Sequence, residues 1–128
     1  MSGRTEAKIP GPDHPIDVEP NPNRVRVVVN GEVVADTTRA LTLHESTYKP
    51  VFYIPREDVR MAVFERTNHA THCPYKGDAS YYTVRIGDQV AENAAWSYED
   101  PYPALHAIAG KLAFYPQRVD AIEEVPRG

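Results

Sequence analysis

The stretch that decides the fold is Arg24-Val25-Arg26-Val27-Val28-Val29-Asn30-Gly31-Glu32-Val33-Val34-Ala35-Asp36. Val25, Val27 and Val29 recur with a period of two, which places them on one face of a strand. Asn30-Gly31 then separates two strand-like runs. Both residue types tolerate positive φ, so the pair predicts a type I′ hairpin.

The same period continues outward. Ala40–Glu45 predicts a strand with Leu41 and Leu43 inward, and Val51-Phe52-Tyr53-Ile54 is an apolar strand bracketed by Pro50 and Pro55. Arg56-Glu57-Asp58-Val59 fits one turn after proline. Met61-Ala62-Val63-Phe64 reads as a further strand, and residues 79–86 and 89–98 read as a hairpin about Gly87-Asp88. One short helix is expected near 102–109, capped by Asp100 and stopped by Gly110. Lys111–Tyr115 returns to strand. This pattern predicts a mainly β domain, an antiparallel sandwich or open barrel with one short helix.

The chain has 128 residues, which suits one domain. The strands place it at 24–122. Residues 1–23 hold Pro10, Pro12, Pro15, Pro20 and Pro22 and predict an extended or disordered arm, either a plain tail or a segment docked on the domain. Residues 123–128 are read as a C-terminal tail.

Composition narrows the function classes. With 14 Lys and Arg against 18 Asp and Glu, the formal net charge is −4, and no run is basic, which disfavours a nucleic-acid partner. No apolar run approaches a membrane span, and Met1-Ser2-Gly3-Arg4-Thr5-Glu6 lacks an export pattern. One cysteine, Cys73, excludes an intramolecular disulfide and a cysteine-rich zinc cage, so a cytoplasmic domain without structural zinc or cofactor is expected.

Candidate site residues come from breaks in the pattern. Glu45 follows Leu41 and Leu43 on the inward face. It is either a buried carboxylate that needs a donor or, if the strand ends at His44, a solvated one. His69, His72 and Cys73 belong to a loop of polar and reactive side chains that Lys76 ends; they are metal-capable types, but His72 and Cys73 are adjacent and a fourth ligand is not evident. Cys73 reads either as a small buried hydrophobe or as a nucleophile needing an aligned base. Lys76, between Tyr75 and Gly77, is either an ordinary solvated lysine, a partner for Glu45, or a holder of phosphate or carboxylate. Trp96 shares a strand face with Tyr98, and Tyr81 lies on a neighbouring strand. These aromatics are either core or pocket walls.

Val25-Arg26-Val27 with Asn30-Gly31-Glu32, Glu45, Tyr53-Ile54-Pro55-Arg56-Glu57-Asp58-Val59, Cys73-Pro74-Tyr75-Lys76-Gly77, Trp96-Ser97-Tyr98 and Ala113-Phe114-Tyr115-Pro116 occur in order. In combination they resemble the domain of unknown function 427 family over about residues 24–120. The resemblance implies a β-tent fold, two packed antiparallel sheets similar to the methionine sulfoxide reductase B and Mss4-like group, with a pocket between them. It adds Tyr53 and Asp58 to the candidates. The single cysteine excludes the paired-cysteine zinc site of that group, and Cys73 does not map onto the reductase cysteine. The family also carries a nucleotidyltransferase label. Such chemistry needs a phosphate-binding Gly-Ser and spaced carboxylates, whereas Glu57-Asp58 and Glu99-Asp100 are adjacent pairs that point to opposite sides of an extended chain, and there is neither a P-loop nor a Gly-rich nucleotide motif.

The expected function is a small-molecule-binding domain, an enzyme or not, with Glu45 and Lys76 as opposite charges and Tyr75, Tyr81, Trp96 and Tyr98 as walls. The partner is an unknown small molecule, with a homodimer also open. One alternative is a non-catalytic recognition module gripping a cationic or peptide group in an aromatic cage. Another is a structural protein whose polar residues brace the core. The sequence further predicts that Glu45, Lys76 and Trp96 meet across one cleft.

Overall fold

The computed structural model describes residues 7–127. Residues 1–6, where the export pattern was sought, and residue 128 lie outside the described residues. The fold is mainly β and antiparallel. In chain order the strands are β1 (Ile16–Pro20), β2 (Arg24–Val29), β3 (Glu32–Thr37), β4 (Leu41–Glu45) and β5 (Val51–Tyr53). They continue with β6 (Phe64–Cys73), β7 (Gly77–Ile86), β8 (Gln89–Ser97), β9 (Ala113–Phe114) and β10 (Ala121–Val125).

The strands form three hydrogen-bonded sheets, ordered β1-β4-β5, β10-β2-β3 and β6-β7-β8-β9. The hairpin at Asn30-Gly31 joins β2 to β3, with φ of 47° and 77° at the two turn residues. Val25, Val27 and Val29 are buried together, as their period of two requires.

The four-stranded sheet contributes one face to each of two cores. Tyr82, Ala95 and Phe114 are cross-strand neighbours and enter a core with the β2 valines. Tyr81, Trp96 and Ala113 are the next cross-strand row. Facing the other way, they pack with Leu43, Tyr53 and Tyr98.

Regular structure extends past the span of 24–122 at both ends. Ile16 to Pro20 pair with β4, from Ile16 opposite Glu45 to Pro20 opposite Leu41. Ile16 and Val18 alternate onto the second core, and an outer strand tolerates proline at its end. Residues 121–125 pair with β2, and Ile122 packs on the first core.

Three local expectations are corrected. Residues 61–63 form a 3-10 turn, and β6 starts only at Phe64. After Val59 bridges Ala35 of β3, this turn carries the chain into the four-stranded sheet. The helix near 102–109 is a kinked 3-10 segment, Pro103–Ile108, preceded by Tyr102 without a side-chain cap. The backbone leaves helical geometry at Leu105, with φ of −112° and ψ of 20°, and breaks the segment into two short turns. Gly110 does follow, with φ of 72°. Residues 69–73, read as a reactive loop, belong to β6, and only Pro74-Tyr75-Lys76 connect it to β7. Among the described residues, no helix is long and apolar enough to cross a membrane.

Candidate functional site

Glu45 closes β4 and Lys76 ends the β6–β7 connection. Lys76 Nζ donates to Glu45 Oε1 at 2.6 Å, and His14 Nε2 donates to Glu45 Oε2 at 2.7 Å. Lys76 is buried, with 7% of its surface exposed. Burial pushes the Glu45 carboxyl up, but the hydrogen bonds from Lys76 and His14 outweigh it and hold the group below the usual range. The His14 ring stacks on Tyr75 at 4.2 Å between centroids, and Lys76 Nζ lies 5.8 Å from the Tyr98 ring centre. The backbone helps hold this cover, with Lys8 N–H donating to Pro74 O and Ser46 N–H to Pro15 O. The sequence reading missed His14, because nothing in a proline-rich arm signals that one of its side chains caps a carboxylate 31 residues away.

Tyr53, Tyr81 and Trp96 form a second group. Trp96 Nε1 donates to the Tyr53 hydroxyl at 3.3 Å. The Tyr81 hydroxyl lies 2.9 Å from Thr71 Oγ1 and 3.2 Å from the Tyr115 hydroxyl, and Tyr115 packs on Trp96 at 4.5 Å. Burial raises the phenols of Tyr53 and Tyr98 far above their ordinary value, and pushes Tyr115 up to about 12.

Cys73 is half-buried beside this second core. Its neighbours on β6 do not gather around it. His69 meets the Tyr81 ring at 4.3 Å, and His72 Nδ1 pairs with Asp78 at 2.7 Å. Among the described residues, no three His, Cys, Asp or Glu side chains converge as metal ligands. Asp58 is remote from these groups. It accepts from Thr37 Oγ1 at 2.7 Å and Arg39 at 3.1 Å, beside an open depression that also holds Arg24 and Asp36.

A separate polar knot surrounds Glu99. Its carboxylate accepts from Tyr82 at 2.8 Å and Ser80 at 2.9 Å, with Arg66 at 3.1 Å and Arg56 at 3.5 Å. Burial works to raise this carboxyl, and the hydroxyl donors and arginines bring it below the ordinary range. The sequence reading had Glu99 only as half of an acidic pair with Asp100.

Glu45 and Lys76 thus meet, but Trp96 does not join them. It lines a cleft of about 750 Å3 that neither of the two enters. Val51, Phe52 and Ile54 form one wall, Trp96 and Phe114 a second, and Val27 with Ile122 a third. Lys49, Pro50, Pro116 and Gln117 form the remaining lining. All three sheets therefore contribute. Of the predicted site residues, Trp96 alone lines this cleft. Phe52 and Ile54 were legible as a strand between two prolines, but strand alternation cannot tell a core face from a cleft face. Ile122 was placed as the last residue of the domain, with no partner strand to give it a neighbour.

A search of curated proteins gives no match. The family model described as Domain of unknown function (DUF427) matches residues 17–125, from the second residue of β1 to the last of β10, and the chain belongs to that family.

Proposed function

We propose that the protein is a small-molecule-binding domain whose ligand lies in the cleft between β5, the β8–β9 edge and the β2–β10 pair. One observation carries this reading: a space of about 750 Å3 walled by Phe52, Trp96, Phe114 and aliphatic side chains. Ligand sites usually span roughly 300–1,000 Å3 with mainly apolar walls. Leaving apolar surface uncovered costs about 25 cal/mol per Å2, so a ligand that fills the space recovers that energy.

Binding without chemistry fits the lining, in which Lys49 is the single titratable side chain among the described residues. The aromatic-cage alternative has less support. Lys8, Arg56, Lys76 and Arg118 already stand over Tyr75, Tyr82, Tyr98 and Tyr115. The proposal includes the β-tent, Mss4-like relationship, supported by antiparallel sheets that share a cleft. It also includes a cytoplasmic setting, supported by one unpaired cysteine.

The chain has one tryptophan, so its indole emission comes from Trp96 on the cleft wall. Titration with 1-anilinonaphthalene-8-sulfonate should change Trp96 emission saturably, and Val51→Glu should remove that change while leaving the circular dichroism intact. Emission that stays constant, or binding that survives Val51→Glu unchanged, would overturn the proposal.

A further inference from the structure

We infer that the ligand of this cleft is a monoanionic amphiphile, an apolar chain or ring carrying one carboxylate-like head. The inference rests on the binding reading above and deepens it. Among the described residues lining the cleft, Lys49 is the only charged one. It sits in the exposed segment between β4 and β5, beside Pro50, so its ammonium can reach a head group at the mouth while the apolar body lies against Phe52 and Trp96.

Two carboxylates, Glu19 and Glu124, line the neighbouring depression across Pro50 and Phe52, outside the cleft itself, and Glu19 lies 3.1 Å from His44 Nε2. Glu123 alternates away from Ile122 and is held by Arg26 at 2.7 Å. Glu124, on the same strand face as Ile122, accepts from the Asn21 side chain at 2.9 Å and the Asn23 side chain at 3.0 Å, and it does not line the cleft. A second cation lies behind the aromatic wall, with Arg118 over Tyr115 at 4.6 Å and Tyr115 packed on Trp96. The cleft lining itself offers an anionic head one cation, Lys49, and offers a cationic head no carboxylate.

The test compares three probes of one chain length, decanoate, decanol and decyltrimethylammonium, below their micelle concentrations, read by Trp96 emission. Decanoate should bind about two- to fivefold more tightly than decanol, the factor an exposed ion pair supplies. Lys49→Met should bring decanoate down to the affinity of decanol. Equal binding of all three, tightest binding of the ammonium, or a decanoate preference that survives Lys49→Met would overturn the anionic assignment and leave the cleft as a ligand site. Binding by none of the three overturns the small-molecule reading itself.

Discussion

Lys76 Nζ donates to Glu45 Oε1 across 2.6 Å and so ties the β6–β7 connection to the end of β4. Both side chains are largely withdrawn from water, with 9% and 15% exposed. Removing one partner of a buried pair costs roughly 3–5 kcal/mol, because the survivor keeps its desolvation penalty. His14 still engages Glu45, so Lys76→Met should cost about 3 kcal/mol by urea denaturation, the low end of that range. The double change Lys76→Met with Glu45→Gln should cost less than the two single changes added together. A Lys76→Met loss below about 1 kcal/mol would mark the pair as one that water already screens.

His14→Ala should act on the covering segment more than on the fold. It removes one of two partners of Glu45 and the ring stacked on Tyr75. A global loss of about 1 kcal/mol is expected, together with faster amide exchange at Lys8, whose N–H bonds Pro74 O. Unchanged exchange there would show that the backbone contacts hold the segment without the histidine.

Stability should fall at both ends of the pH scale. Glu45 and Glu99 titrate in the folded state below their ordinary value of 4.5. Folding therefore gains from their ionisation above pH 4.5, and loses that gain as pH drops from 4.5 through the lower folded values. Tyr53 and Tyr98 are shifted the other way, from 10.0 upward, so the unfolded chain loses those protons first and stability declines above pH 10.0. Urea midpoints should fall as pH passes below the first limit and again as it passes above the second. Tyrosinate absorbance above pH 10.0 should rise in step with unfolding for the buried phenols. A full tyrosinate signal from a chain still folded would contradict their burial.

Gly31→Ala should cost about 1–2 kcal/mol, the penalty for an L side chain at a left-handed position. Gly31 has φ of 77° and open space where a Cβ would stand, so the loss is backbone strain without a clash. A thermal melt of the variant measures it. No change would mean that the turn relaxes to another type.

The sequence made β2, β3 and β7–β8 legible because alternation and turn chemistry agree there. Val25, Val27 and Val29 share a face, and Asn30-Gly31 permits one kind of reversal. At β1 it left a plain tail and a docked arm both open, because Pro15 and Pro20 outweighed the spacing of Ile16 and Val18. The contact between Glu45 and Lys76 could be read from a carboxylate on an apolar face that needs a cation. Three-dimensional placement of Trp96 could not. Period two gives the face of a strand, whereas which sheet covers that face depends on how β5 and β10 pack against the β9 edge. Lys49 carries no signal in the sequence at all, since a lysine beside a proline reads as an ordinary turn.

The four-stranded sheet, with Tyr81 and Trp96 on one side and Tyr82 and Ala95 on the other, leaves neither core able to melt alone. Sliding β8 by one residue along β7 would trade the occupants of both interiors in a single step, placing Trp96 where Ala95 is packed. The penalty for a wrong register is therefore charged twice. Calorimetry should accordingly see one cooperative transition for the three sheets, and a defect introduced beneath β4 should be felt by the valines of β2.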